Sequence, residues 1–274
     1  MKLPPQLFQD LQEAIARRTV AGDVVANKIE LGMLNTRLVQ MGFAVWTTGP
    51  GNHDQPAMVA YREPGHIAAS TLAMYNHYDV EPVHGRPWLT DPWLLTERDG
   101  RLFGRGIGDN KGVLYSRMHV IQQMIERGAA LPGLLWLIQG EEEVGPELAY
   151  VPFRDAITKH CPTLFLEETG YHRGSTPLVL TQGTPPSLRV LLAAVGDRYF
   201  LEQRTLNKSY QKNPCPFITS IPPGGTYLAF GPNDEHSRIH RSNESVSEAL
   251  LASYLQHFGS FLEVLAEGPV VPIA

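Results

Sequence analysis

Residues 134 to 138 read Leu-Leu-Trp-Leu-Ile, and three glutamates, Glu141, Glu142 and Glu143, follow directly after Gln139 and Gly140. A short, bounded, fully apolar run of this kind predicts a strand buried on both faces, at the centre of a sheet covered by helices. Three carboxylates at the C-terminal end of such a strand repel one another unless cations neutralise them. In open α/β sheets that is also the edge where ligands bind. An acidic run is ordinarily a solvated face; beside a buried strand end it becomes a candidate site.

Other segments fit the same layered plan. Helical patterns near residues 5–18, 24–41, 112–127, 147–159 and 246–265 alternate with strand candidates near 43–48, 57–63, 70–76, 133–139, 162–167, 177–181, 187–194 and 227–230. This alternation predicts an α/β fold, doubly wound, with a mixed, mostly parallel sheet flanked by helices. Internal repeats and low-complexity tracts are absent.

Several further residues carry chemistry. His77 and Asp79 follow the β-prone stretch Ser70 to Tyr75, and strand alternation would put both side chains on one face. A metal-bound imidazole usually donates its other N–H to a carboxylate, a place Asp79 is spaced to take. Asp109 sits in Gly104-Arg105-Gly106-Ile107-Gly108-Asp109-Asn110-Lys111-Gly112, whose glycines permit positive φ and close backbone approach. The helical pattern after Gly112 puts this loop at a helix N-terminus. Such loops also bind phosphate, but an acidic residue at the centre argues against it. Glu167 and Glu168 follow the strand candidate Thr163 to Leu166, and His240 follows Tyr227 to Phe230 and a polar loop. His119 reads as a packed or surface residue.

The order His-x-Asp, Asp, Glu-Glu, Glu, His resembles the M20 family of metallopeptidases and amidohydrolases, which includes aminoacylases, dipeptidases, glutamate carboxypeptidases and desuccinylases. The stretch from His77 to Gly112 is similar to that family's longest signature, including Trp88 to Pro92. Agreement continues through Glu142 to Gly145, Glu168-Thr169-Gly170, Gly224-Gly225-Thr226 and His240-Arg241-Ser242-Asn243-Glu244, about residues 70 to 250 in all. The resemblance implies a zinc-exopeptidase-like catalytic domain that cleaves an amide bond in a small peptide or N-acyl amino acid. It implies one metal on His77 and Glu168, a second on Glu143 and His240, Asp109 bridging them, and Glu142 as the general base that activates a metal-bridging water, with Asp79 supporting His77.

Two divalent ions are implied, zinc first, with cobalt or manganese also suited to a mixed N/O ligand set. Glu141 remains the alternative base, Glu167 the alternative to Glu168, and His236 the alternative to His240. Asn243 and Glu244 are expected to open the next helix. The backbone N–H groups of Gly224, Gly225 and Thr226 are candidates to hold a substrate carboxylate, with a plain turn as the other reading.

M20 members commonly insert a lid and dimerisation domain between their last two ligands and take an oxyanion-stabilising histidine from it. Here 71 residues, 169 to 239, separate Glu168 from His240. That predicts a single catalytic domain over 1–274, with the lid absent between about 181 and 227, no counterpart for the lid histidine, and a monomer. An M28-type zinc aminopeptidase and a non-enzymatic metal-binding relative are the alternatives. Lys111-Gly112 and the His240 to Glu244 segment favour M20.

The formal charge of −5 is spread without a basic stripe, which argues against nucleic acid as a partner. No apolar run reaches spanning length, so no membrane partner is expected, and the first 18 residues read as an amphipathic helix rather than a signal peptide. A cytoplasmic location follows as the expectation, with Cys161 and Cys215 unpaired.

Overall fold

The computed structural model describes residues 2–49, 55–65, 70–85, 87–145, 150–182, 198–203 and 225–267. Two helices, α1 (Pro5–Ala16) and α2 (Val24–Gln40), lead into β1 (Ala44–Thr47), β2 (Met58–Arg62) and β3 (Thr71–His77). A hairpin of β4 (Thr96–Arg98) and β5 (Arg101–Phe103) precedes α3 (Lys111–Glu126) and β6 (Gly133–Gln139). Next come a single 3-10 turn at Glu142–Val144, α4 (Tyr150–His160), β7 (Leu164–Leu166), β8 (Tyr171–Arg173), β9 (Thr176–Gln182) and β10 (Phe200–Gln203). The order closes with β11 (Thr226–Ala229), β12 (Ser245–Ser247) and α5 (Glu248–Ala266).

The apolar run becomes β6, and all of its residues are buried. Alternation divides it: Leu134, Trp136 and Ile138 join the core under α1, α2, α3 and α5, while Leu135 and Leu137 pack on the opposite face with Phe153, Ala156 and Ile157 of α4. Helices therefore cover both faces. The large sheet runs β1-β2-β6-β3-β7-β11-β9-β10, with β8 on β9. Its centre, β6-β3-β7-β11, is parallel. Antiparallel pairs flank it at β1-β2-β6 on one side and at β11-β9-β8 on the other. Apart from the edge pair β9–β10, which is also parallel, parallel pairing falls where both faces are covered.

A second, antiparallel sheet of β12, β5 and β4 sits apart. Its three-residue strands are too short to show alternation, which is why the sequence pattern passes over them. They hold the start of the glycine-rich loop, where the Gly104 amide donates to the Glu244 carbonyl at 3.2 Å. Residues 246 and 247, expected to be helical, finish β12 instead, and Ser247 caps α5 by accepting from Leu250. The expected strand at 187–194 and the expected helical residues 147–149 lie outside the described residues, as does Gly224.

Candidate metal centre

The parallel strands end on one side of the sheet, and their C-terminal residues meet there. His77 is the last residue of β3, and its side chain is fully buried. Asp79 lies two residues beyond the strand, in irregular backbone, so strand alternation is not what brings it to His77. His77 Nδ1 meets the Asp79 backbone carbonyl at 3.1 Å, with Oδ1 of the same residue 3.3 Å away, and Asp79 Oδ2 accepts from the Glu143 amide at 3.0 Å. Asp79 thereby orients the imidazole and also anchors the turn after β6. His77 Nε2 is left to face the cluster.

That Nε2 lies 3.0 Å from Asp109 Oδ1 and 3.9 Å from Glu168 Oε2. The other oxygen of Asp109 lies 3.1 Å from His240 Nε2, which in turn is 3.0 Å from Glu143 Oε2. Two groups result, His77 with Asp109 and Glu168, and His240 with Asp109 and Glu143, each with its ligand atoms within 4.8 Å of one another. Glu142 forms a third such group with His77 and Glu143.

The neighbouring candidates are separated by the same geometry. Glu141 is buried in left-handed conformation with φ 62° and belongs to none of the three groups among the described residues. Glu167 is also outside them and gives its backbone carbonyl to Arg117. His236 is exposed, with Nε2 3.5 Å from Glu235. His240 adopts φ 60°, a strained region for a residue with a Cβ, which turns its imidazole onto Asp109.

Burial and close packing of like charges shift the ionisation of the cluster. Burial pushes the Glu142 carboxyl up to about 8, with Asp109, Glu143 and Asp79 adding to the effect and His77 opposing it. Burial raises Glu168 well above the usual carboxylate range and raises Glu143 as well. Burial disfavours a charged His77, yet Glu142, Glu168, Asp109 and Asp79 outweigh it and hold its pKa well above 6.5. Contacts to Asp109 and Glu143 lift His240 to about 11. Burial also opposes ionisation of Asp109, but His240 and His77 hold it below the usual carboxylate range.

The donor set fits divalent cations. Two ligands each about 2.1 Å from a tetrahedral ion sit roughly 3.4 Å apart, and the contacts above span 3.0 to 3.9 Å. Glu168 Oε2 is buried without a hydrogen-bond partner, an acceptor left for a cation.

The glycine-rich loop does cradle an anion, and the anion is the chain's own. Glu244 Oε1 accepts from the amides of Gly106, Gly108 and Asp109 at 3.1, 2.8 and 3.1 Å, and Oε2 accepts from Arg105 at 2.6 Å. Glu244 therefore does not open the helix, as its place in the sequence suggested; it fixes the loop that carries Asp109. Two glycines make this possible: Gly106 has φ 87°, and a Cβ on Gly112 would stand 1.9 Å from the Ile107 carbonyl oxygen. Asn243, at φ 61°, likewise lies before the helix and accepts from the Leu89 amide. The expected carboxylate cradle is only partly described: Gly225 borders β11, and the Thr226 amide is spent on the Thr163 carbonyl at 2.9 Å. Thr226 therefore cannot offer that N–H to a substrate.

The model of peptidase family M20/M25/M40 matches residues 73–264, more than half of the chain. The chain belongs to this family. Among curated relatives, a cysteinylglycine-S-conjugate dipeptidase of Corynebacterium striatum is 31% identical over 146 residues, 52% of this chain and 32% of that protein. A human beta-Ala-His dipeptidase is 42% identical over 77 residues, 27% of this chain and 15% of that protein. The matched stretches thus span a third or less of these relatives. The crystal structure of human carnosine dipeptidase 1 superposes with a TM-score of 0.74 at 13% identity, covering 96% of this chain and 97% of that one. The dipeptidase Dug1p from Saccharomyces cerevisiae gives 0.72 at 13% identity, covering 97% and 96%. At such identities the superpositions establish the fold. Membership brings metal dependence with it, and no helix among the described residues is long and apolar enough to cross a membrane.

Proposed function

We propose that this chain is the catalytic core of a dinuclear metal-dependent hydrolase that cleaves the amide bond of a dipeptide or N-acyl amino acid. The observation that carries the proposal is the division of Asp109, whose two oxygens face two different histidines at 3.0 and 3.1 Å, each histidine beside a further carboxylate. In this reading His77 and Glu168 hold one ion, Glu143 and His240 the other, and Asp109 bridges them. Zinc suits the mixed N/O donors best, and cobalt or manganese would also fit. Such ions supply Lewis acidity, polarising the scissile carbonyl and making a water acidic.

The chain's own residues do the rest. Glu142 stands beside the ligand atoms of His77 and Glu143 without being needed for either three-residue group. It removes a proton from the water that attacks the carbonyl carbon, then returns that proton to the amine nitrogen as the C–N bond breaks. Asp79 keeps His77 in the orientation that presents Nε2. The names of the curated relatives support a small-peptide substrate.

A single catalytic domain without an inserted lid, acting as a monomer in the cytoplasm, is part of the same proposal. In its favour, β10 lies between β9 and β11 in sequence and adds to the catalytic sheet beside β9 rather than to a separate unit. The binding-module alternative loses ground because all five ligand candidates and the base candidate are gathered at one sheet edge. The test is metal content together with turnover of dipeptides and N-acyl amino acids under added zinc, cobalt or manganese. Two equivalents of metal per chain are expected. Glu142→Gln should keep both and lose about 10²-fold or more in kcat; a fully active Glu142→Gln variant would remove Glu142 from the base role.

A further inference from the structure

We infer that Arg117 is a positioning residue of the metal centre, a buried cation that sets the spacing between the strand ends bearing His77 and Glu168. The inference rests on the ligand assignment proposed above. Arg117 lies on α3, its side chain wholly buried. The ladder between β3 and β7 stops at Met74 and Leu166, short of both ligands. Past that point the guanidinium takes over: one terminal nitrogen donates to the Tyr75 carbonyl at 2.8 Å and to Asn76 Oδ1 at 2.9 Å, and the other donates to the Glu167 carbonyl. Its Nε donates to the Tyr254 hydroxyl at 2.8 Å, fixing the fork from behind. Of the residues it bridges, Asn76 immediately precedes His77 and Glu167 immediately precedes Glu168.

The same network reaches the other ligand segments. Asn76 Oδ1 also accepts from Trp136 Nε1 of β6 at 2.9 Å, and β6 leads to Glu142 and Glu143. Asn76 donates to Asn110 Oδ1, and Asn110 donates to the Glu168 carbonyl at 2.9 Å. Asn110 directly follows Asp109. A planar fork with several fixed donors spans two diverging carbonyls in a way that a lysine ammonium cannot.

Charge gives a second reason. The four acceptors of Arg117 among the described residues are neutral, and none of the carboxylates described there contacts the buried cation. A buried charge of this kind is costly, and a well-packed apolar side chain would ordinarily serve stability as well. Its presence here points to a geometric role, the joining of the β3 and β7 ends that lead into His77 and Glu168.

Zinc titrations against a chromophoric chelator, with thermal unfolding of the cation-free proteins alongside, test the inference. Arg117→Met should weaken one zinc equivalent by about 10–100-fold and leave the other unchanged. The weakened equivalent should be the one that Glu168→Gln abolishes. Arg117→Lys should fall between wild type and Arg117→Met. Asn110→Ala, which leaves the buried charge in place, should weaken the same equivalent. Unchanged affinity of both equivalents, or equal weakening of both in step with a lower Tm, would overturn the inference. Should Arg117→Met not fold, Arg117→Lys and Asn110→Ala decide the question. Wild-type protein that binds no divalent metal would instead refute the ligand assignment itself.

Discussion

Replacing Glu244 with glutamine alters one atom of a fully buried side chain and is expected to be among the costliest conservative changes in this chain. The Glu244 and Arg105 side chains are 0% and 3% exposed, and their contact is 2.6 Å. In Glu244→Gln the amide oxygen can keep the three backbone N–H groups of the loop. Its nitrogen then faces Arg105, donor against donor, with the guanidinium charge unpaired. Removing one partner of a buried pair costs about 3–5 kcal/mol, against a total stability of about 5–15 kcal/mol. The corresponding fall in Tm is about 10 °C.

Urea denaturation at pH 8 is the appropriate assay, because burial pushes the Glu244 carboxyl up to about 7 and it is ionised above that. Combining the change with Arg105→Met removes the stranded charge. The double variant should therefore be more stable than the sum of the single losses by about 2 kcal/mol or more. A loss below about 1 kcal/mol in Glu244→Gln, or additive losses in the cycle, would refute the view that this pair holds the Asp109 loop.

Asp109→Asn should lose both metal equivalents together by elemental analysis, and retention of one would break the bridging assignment. His240→Ala should abolish turnover while His236→Ala leaves it near wild type; equal losses would mean that the ligand had been taken from the wrong histidine. Burial, reinforced by His257, pushes His172 down to about 4. Below its ordinary value of 6.5 the unfolded chain binds a proton that the fold refuses. Stability should therefore fall with pH by roughly 1.4 kcal/mol per unit, until the folded histidine also titrates near its value of about 4. His172→Phe should flatten that limb in urea midpoints measured between pH 4 and 6.5, and an unchanged slope would show that another group sets it.

Much of the site was legible before the fold. Every ligand candidate but Asp109, which was read in a glycine-rich loop before a helix, follows a strand signal, and the motif order alone points to the groups around it. Strand ends gather ligands by construction in a parallel sheet, so a local pattern predicts a shared edge. The neighbouring choices were harder: Glu141 and His236 match the composition of the site as well as Glu142 and His240 do. The spacing of the resemblance prefers Glu142 and His240; in the structure Glu141 lies outside the three groups and His236 stays in solvent. Glu244 was misplaced for a related reason, since its spacing before α5 suits a helix opening, while its partners lie at Arg105 to Asp109, more than a hundred residues earlier.

What the sequence by itself determined is therefore local and periodic. It includes the apolar strand Leu134 to Ile138, the helices that cover it, and the acidic and imidazole groups at successive strand ends. The tertiary structure decided the antiparallel pairs beside the parallel centre of the sheet, the small sheet under the glycine-rich loop, the capture of Glu244 by that loop, and the bridge that Arg117 builds between β3 and β7. The physical reason is that alternation and helical period are written along a chain, whereas the partner of a buried charge is chosen across it. A carboxylate or guanidinium carries no local sign of whether it will meet water, a neighbour or a distant backbone amide. Folding makes that choice when it removes the water.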